Sequence, residues 1–165
     1  MGRDRVESAS IDRFSPIMKI WLNDSLVEQL VLPPTGGGWL LGDGIFESLR
    51  TYNGTPFALD LHIERLNRSA KKMKISAPSR EKIENGVREV IRANSTIPFG
   101  RLRITLLSDA QLIITHVPFN EDKGFIALGR HEFTISSKLA ISGMKTISYA
   151  EISLALRSAV ERGYD

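Results

Sequence analysis

Two spacings of apolar residues run through this chain, and they divide it into strands and helices. In Arg101–Leu107, Leu102, Ile104 and Leu106 alternate with Arg101, Arg103 and Thr105, the two-residue period of a half-buried strand. Met18–Leu22, the run SLVEQLVL, Gly44–Tyr52, Thr55–Leu59, QLIITHV and GFIALGRHEF read as further strands. Asn23-Asp24, Asn53-Gly54 and Asp109-Ala110 are the turn signals between them, and Asn-Gly is the strongest because both residues tolerate positive φ. PPTGGG reads as a loop.

A period near 3.6 replaces this one in three places. Ile63, Leu66, Ala70 and Met73 make one stripe after Asp60, which reads as the helix cap. Ile83, Val87, Val90 and Ile91 make a second, beginning at Ser79 after Pro78. Tyr149, Ile152, Leu156, Ala159 and Val160 make a third, with Ser148-x-x-Glu151 as a capping box and Gly163 as the C-terminal stop. Hairpins, two helices, more strands and a new unit from Ser136 give an α+β fold, with helices against a mostly antiparallel sheet. The expected organisation is a disordered leader over 1–17, an N-terminal α+β domain over 18–135, and a linker with the first helix of a second domain over 136–165.

Composition narrows the class of function. With 42% hydrophobic and 25% charged residues the chain has an ordinary globular balance. No apolar run approaches the roughly 18 residues that a membrane span needs. The polar start MGRDRVESASIDRFSP lacks the apolar centre of a secretory signal. The absence of cysteine excludes disulfides and thiolate metal sites, and a cytoplasmic location is expected. The net charge of +3 comes from basic residues interleaved with acidic ones, as in SREKIENGVREVIR; that is a solvated helix face and argues against nucleic acid. His62, His116 and His131 are widely spaced, so no metal site is expected.

Candidate chemistry gathers in two stretches. The first is GDGIFESLRTYNGTPFALDLHIERLNRSA, in which Phe46 and Glu47 point to opposite faces of a strand. The second is GMKTISYAEISLALRSAVERGYD, in which Lys145 precedes a helix start. A lysine amine attacks an aldehyde only when neutral, so a reactive lysine needs burial or a neighbouring positive charge. An arginine fork such as that of Arg65 matches phosphate oxygens in pairs and stays charged. His62, with no carboxylate partner nearby in sequence, reads as a packing residue.

Together these stretches resemble the class IV aminotransferases, the fold type IV pyridoxal-phosphate enzymes, over most of Met18–Asp165. The resemblance implies the small two-layer domain of that fold plus only the start of the larger one. It implies that Lys145, in K-T-I-S-Y-A-E, condenses with the aldehyde of pyridoxal 5'-phosphate. Tyr149 is implied as a contact of the cofactor ring oxygen, and Arg65, in H-I-E-R-L, as the phosphate ligand. Phe46 is implied as a wall of the substrate pocket, with Ser48 supplying a hydroxyl and Arg103 binding a substrate carboxylate.

F-E-S is closer to the lyase form, usually F-E-T, than to the branched-chain form, usually F-E-G. The implied activity is therefore 4-amino-4-deoxychorismate lyase, which releases pyruvate to form 4-aminobenzoate for folate biosynthesis. A branched-chain or D-amino-acid aminotransferase is the alternative, and a non-catalytic truncated module the second. The implied partners are a small anionic amino substrate and, in the full-length parent, a second copy in a homodimer. PPTGGGWLLGDG stands where the family usually has an Asp-Arg-Gly-like segment, and LLSDAQ where it often has a glycine-rich turn. The resemblance also places the acid that pairs with the pyridine nitrogen beyond Asp165, so the chain reads as truncated at its C-terminus.

Overall fold

The computed structural model describes residues 18–120, 124–130 and 136–164. The expected leader and the His131–Phe133 end of the last expected strand lie outside the described residues. The order is β1 (Ile20–Leu22), β2 (Ser25–Val27), α1 (Gly37–Leu40), β3 (Gly44–Tyr52), β4 (Thr55–Pro56), α2 (Leu59–Met73), α3 (Arg80–Ala93), β5 (Phe99–Leu107), β6 (Leu112–Pro118) and α4 (Ala150–Glu161). The strands form one antiparallel sheet in the order β2-β1-β6-β5-β3-β4. This is the expected α+β architecture.

Turn chemistry sets the hairpins. Asn53 and Gly54 both take positive φ, 48° and 77°, and Tyr52 pairs with Thr55 across them. Asn23 and Ala110 supply the left-handed residue of the β1–β2 and β5–β6 turns. The register then places Ile45, Leu49, Leu102, Ile104, Leu106 and Ile114 on one sheet face. Ile63, Leu66 and Ala70 of α2 and Ile83, Val87 and Val90 of α3 cover that face. Most of these side chains are fully buried, each contributing roughly 1.5–3 kcal/mol of apolar transfer. Ser79 caps α3 as expected, its hydroxyl accepting from Lys82 N–H at 3.2 Å.

Several elements differ from the sequence reading. SLVEQLVL is a strand only over Ser25–Val27; Pro33 and Pro34 follow, and Glu28 turns to pair with Lys19. Thr55–Leu59 pairs only as far as Pro56, and Leu59 already belongs to α2 and packs against the core. Asp60 is therefore not the cap: Ala58, at φ 52°, precedes the helix, and Asp60 sits in its first turn, where a carboxylate favours the helix dipole. The PPTGGG segment runs into a single helical turn, fixed by Trp39 Nε1 donating to the Pro33 carbonyl at 2.9 Å. Gly124–Arg130, expected as strand, pairs with no strand among the described residues, and Phe125, Ile126 and Leu128 are exposed.

The Ser148 capping box does not form. The Ser148 hydroxyl donates to the Gly42 carbonyl at 2.6 Å, and α4 starts after Tyr149 without a side-chain cap. The reason lies upstream. β4 covers only the Tyr52 end of β3, and the free edge at the other end pairs with the Lys145 segment. Phe46 N–H donates to the Lys145 carbonyl at 2.8 Å, Ile147 N–H donates to the Gly44 carbonyl at 3.0 Å, and Thr146 bridges Ile45. Docked this way, Ser148 lies against Gly42 rather than over the first turn of α4. Gly163, at φ 81°, ends α4 as expected. No residue of α4 is buried, and Ile152, Leu156 and Val160 of its stripe are exposed.

Candidate functional site

β3 separates two clusters of polar side chains by the alternation of its residues. Phe46 and Ser48 project from the sheet face opposite the helices; Glu47 projects toward α2. The edge pairing carries the same alternation into the Lys145 segment. Thr146 is buried beside Ile45, while Ile147 approaches Gly44 on the other face, where Lys145 also lies.

The first cluster is built on the Phe46 ring, which is 4% exposed. Lys145 Nζ lies 4.8 Å from its centroid and the Arg103 guanidinium carbon 3.6 Å from it. The Tyr149 ring meets it edge-on at 5.4 Å. Both cation contacts suit the negative face of an aromatic ring. Arg103 stands directly across from Ser48 in the β3–β5 register. Its Nε donates to Thr105 Oγ1 at 3.2 Å, and no carboxylate pairs with it among the described residues. Burial holds its pKa below the usual arginine value; the nearby Tyr149 phenol opposes this, and Arg101 adds to it. A guanidinium keeps its charge nonetheless, so this face presents a half-desolvated cation suited to an incoming anion.

The second cluster lies on the helix side of β3. Glu47 is 1% exposed, and its two carboxylate oxygens accept from Arg65 Nε at 2.6 Å and Nη2 at 2.5 Å. His62 Nδ1 is 2.8 Å from Glu47 Oε2 and 3.4 Å from Arg65 Nη2. The Glu47 hydrogen bond raises the Arg65 pKa, partial desolvation opposes this, and the Glu47 charge adds to the rise. Sequence reasoning gave His62 no carboxylate partner; the structure gives it Glu47, fifteen positions earlier. One signal for this existed in the sequence. Glu47 is the acid at an inward strand position, and a buried carboxylate requires partners.

Of the residues singled out from sequence, Lys145, Tyr149 and Arg103 therefore each contact the Phe46 ring, with Ser48 on the same sheet face. Arg65 belongs to the Glu47 cluster on the other side of the strand. Among the described residues no group of three or more histidine, aspartate or glutamate side chains is arranged to hold a metal ion. No helix there is long and apolar enough to cross a membrane.

Comparison with known proteins places these features in a family. The aminodeoxychorismate lyase of Bacillus subtilis is 36% identical over 111 residues, which are 66% of this chain and 35% of that protein. The branched-chain aminotransferase of Thermoproteus uzoniensis, solved with norvaline, superposes with a TM-score of 0.79 at 25% identity, over 89% of this chain and 57% of that one. A hypothetical aminotransferase from Mycobacterium tuberculosis, solved in its pyridoxal-phosphate-bound form, shares the fold at 20% identity and a TM-score of 0.71, over 88% of this chain and 59% of that one. The matched segment thus spans about a third of the curated relative and just over half of the solved chains. The amino-transferase class IV family model matches residues 44–165, a stretch that contains both clusters and the β3 edge joining Lys145 to Phe46, and the chain belongs to that family.

Proposed function

We propose that this chain carries the lysine side of a pyridoxal-phosphate site and that its reaction is the lyase one, release of pyruvate from 4-amino-4-deoxychorismate to leave 4-aminobenzoate. The observation that carries the reading is the convergence of Lys145, Arg103 and Tyr149 on the Phe46 ring. The donor set fits the cofactor in three respects. An amine stands beside an aromatic wall, a phenol adjoins it, and Arg65 keeps Nη1 without a hydrogen-bond partner among the described residues. In this reading residues 18–135 form one domain, and 136–165 the linker and first helix of a second.

Pyridoxal phosphate, when bound, supplies an aldehyde that exchanges amines and a ring that withdraws electrons from the substrate. Lys145 Nζ would be the amine that holds the aldehyde, and would then accept and return the proton. Tyr149 would hydrogen-bond the ring oxygen, and Arg65 would bind the phosphate through its uncommitted edge. Phe46 walls the substrate and excludes water. Ser48 and Arg103 are paired across β3 and β5; Ser48 supplies a hydroxyl to the substrate and Arg103 binds its carboxylate. The substrate ring loses a proton as its C–O bond to the enolpyruvyl group breaks. That group gains a proton at its methylene carbon to become pyruvate, so atoms balance without a co-substrate.

The alternative is a transaminase acting on branched-chain or D-amino acids. The similarity to the Thermoproteus uzoniensis enzyme favours its branched-chain form. Supplying the protein and cofactor with aminodeoxychorismate, and separately with leucine and 2-oxoglutarate, distinguishes the two. Faster release of 4-aminobenzoate than formation of glutamate supports the lyase; the reverse order moves the assignment to the transaminase. Neither product, with no cofactor bound, points to a non-catalytic module.

A further inference from the structure

Glu47 lies outside the chemistry assigned so far, yet it is among the most deeply buried charged groups in the described structure. A carboxylate held at 1% exposure is costly unless each oxygen has a strong partner. Arg65 satisfies both oxygens through two neighbouring nitrogens, and His62 satisfies one of them again. The relation is asymmetric. Glu47 sits on β3 between Ile45 and Leu49 and is fixed by the core, whereas the Arg65 side chain is 46% exposed. The carboxylate is thus the anchor and the guanidinium the group being held. A free arginine side chain has many rotamers, and a planar fork clamped at two of its nitrogens has lost most of that freedom before any ligand arrives. His62 lies on α2 one turn before Arg65 and braces the same oxygen that Nη2 contacts.

We propose that Glu47, braced by His62, is a positioning residue that pre-orients Arg65 for a phosphate monoester. The proposal rests on Arg65 being the phosphate ligand. The clamp commits Nε and Nη2 and leaves Nη1 for an anion. It lowers the cluster's net positive charge and in return fixes the geometry of the remaining donor edge. Glu47→Gln keeps the volume of the side chain but replaces one acceptor by an NH2 group, which meets a donor nitrogen of Arg65 or His62. The guanidinium is then released, while the sheet keeps its packing.

The test compares two probes by equilibrium dialysis: pyridoxal phosphate, and pyridoxal, which has the same aldehyde and no phosphate. In the wild-type protein pyridoxal phosphate binds much the more tightly, and Arg65→Ala removes most of that preference. Glu47→Gln is expected to weaken pyridoxal phosphate roughly tenfold and leave pyridoxal unchanged. His62→Ala, a milder change at a partly exposed site, shifts the same ratio two- to threefold, which keeps the test open if Glu47→Gln fails to fold. Glu47→Gln that folds and keeps the wild-type preference, or tightens pyridoxal phosphate, overturns the positioning role while Arg65→Ala still upholds the phosphate ligand. A wild-type protein that does not distinguish the two probes overturns both.

Discussion

The two faces of the central sheet use the same strands for opposite purposes. On the helix side, Ile45, Leu49, Leu102, Ile104 and Leu106 are nearly or completely buried under α2 and α3. On the other side lie the intervening residues Phe46, Ser48, Arg103 and Thr105, with Lys145 near the Phe46 ring, and most are only partly covered. A one-residue step along β3 or β5 moves from a position that holds the fold to one on the face of the candidate site. Glu47 is the exception: a charged group on the buried side, retained there with Arg65 and His62 as partners. The contrast implies that substitutions on the buried face change stability, while those on the other face change binding and leave stability nearly constant.

Leu66→Ala makes the largest break on the buried side. Leu66 is fully buried in the α2 stripe, so its truncation is expected to cost about 2–5 kcal/mol in urea unfolding. Next is the pH dependence from His116, which lies on the buried face beside Leu102 and pairs with Thr51 at 2.7 Å. Burial lowers its pKa, so the folded state resists a proton that the unfolded chain accepts near pH 6.5. Stability is therefore unaffected by this group above about pH 6.5 and falls as pH drops below it, by up to about 1.4 kcal/mol per pH unit. His116→Gln flattens that part of the profile.

Ser79→Ala, which removes the α3 cap, is expected to cost about 1 kcal/mol by the same unfolding measurement. Arg103→Met is the smallest in stability and the most informative. It removes a half-buried cation that makes one neutral hydrogen bond, so stability should move by less than about 1 kcal/mol in either direction. In the proposed lyase reaction the KM for the anionic substrate should nevertheless rise. A large loss of stability with unchanged KM would place Arg103 with the structural residues.

Much of this division was legible in the sequence. Alternation in β5 assigned Leu102, Ile104 and Leu106 to one face and Arg103 to the other, and the register confirms it. Asn53-Gly54 fixed a hairpin, and the stripes of α2 and α3 named their buried residues. Pairings between distant segments were the hidden part. Nothing local shows that Lys145–Ile147 docks on the free edge of β3, and that docking diverts Ser148 from the cap its spacing suggests. The Glu47–His62–Arg65 cluster was hidden for the same reason: helix and strand periods are read separately, and only tertiary packing brings their faces together. Gly124–Arg130 has an apolar, strand-like composition, yet it forms none of the six strands of the sheet.

The central claim is that Lys145 is the amine that meets the cofactor, and borohydride trapping tests it most directly. The protein is mixed with pyridoxal phosphate, reduced, digested and mapped by mass spectrometry. The account predicts one pyridoxyl label, on the peptide containing Lys145, and its loss in Lys145→Ala. A label on Lys138, or one spread over the exposed lysines and unchanged in Lys145→Ala, would contradict it.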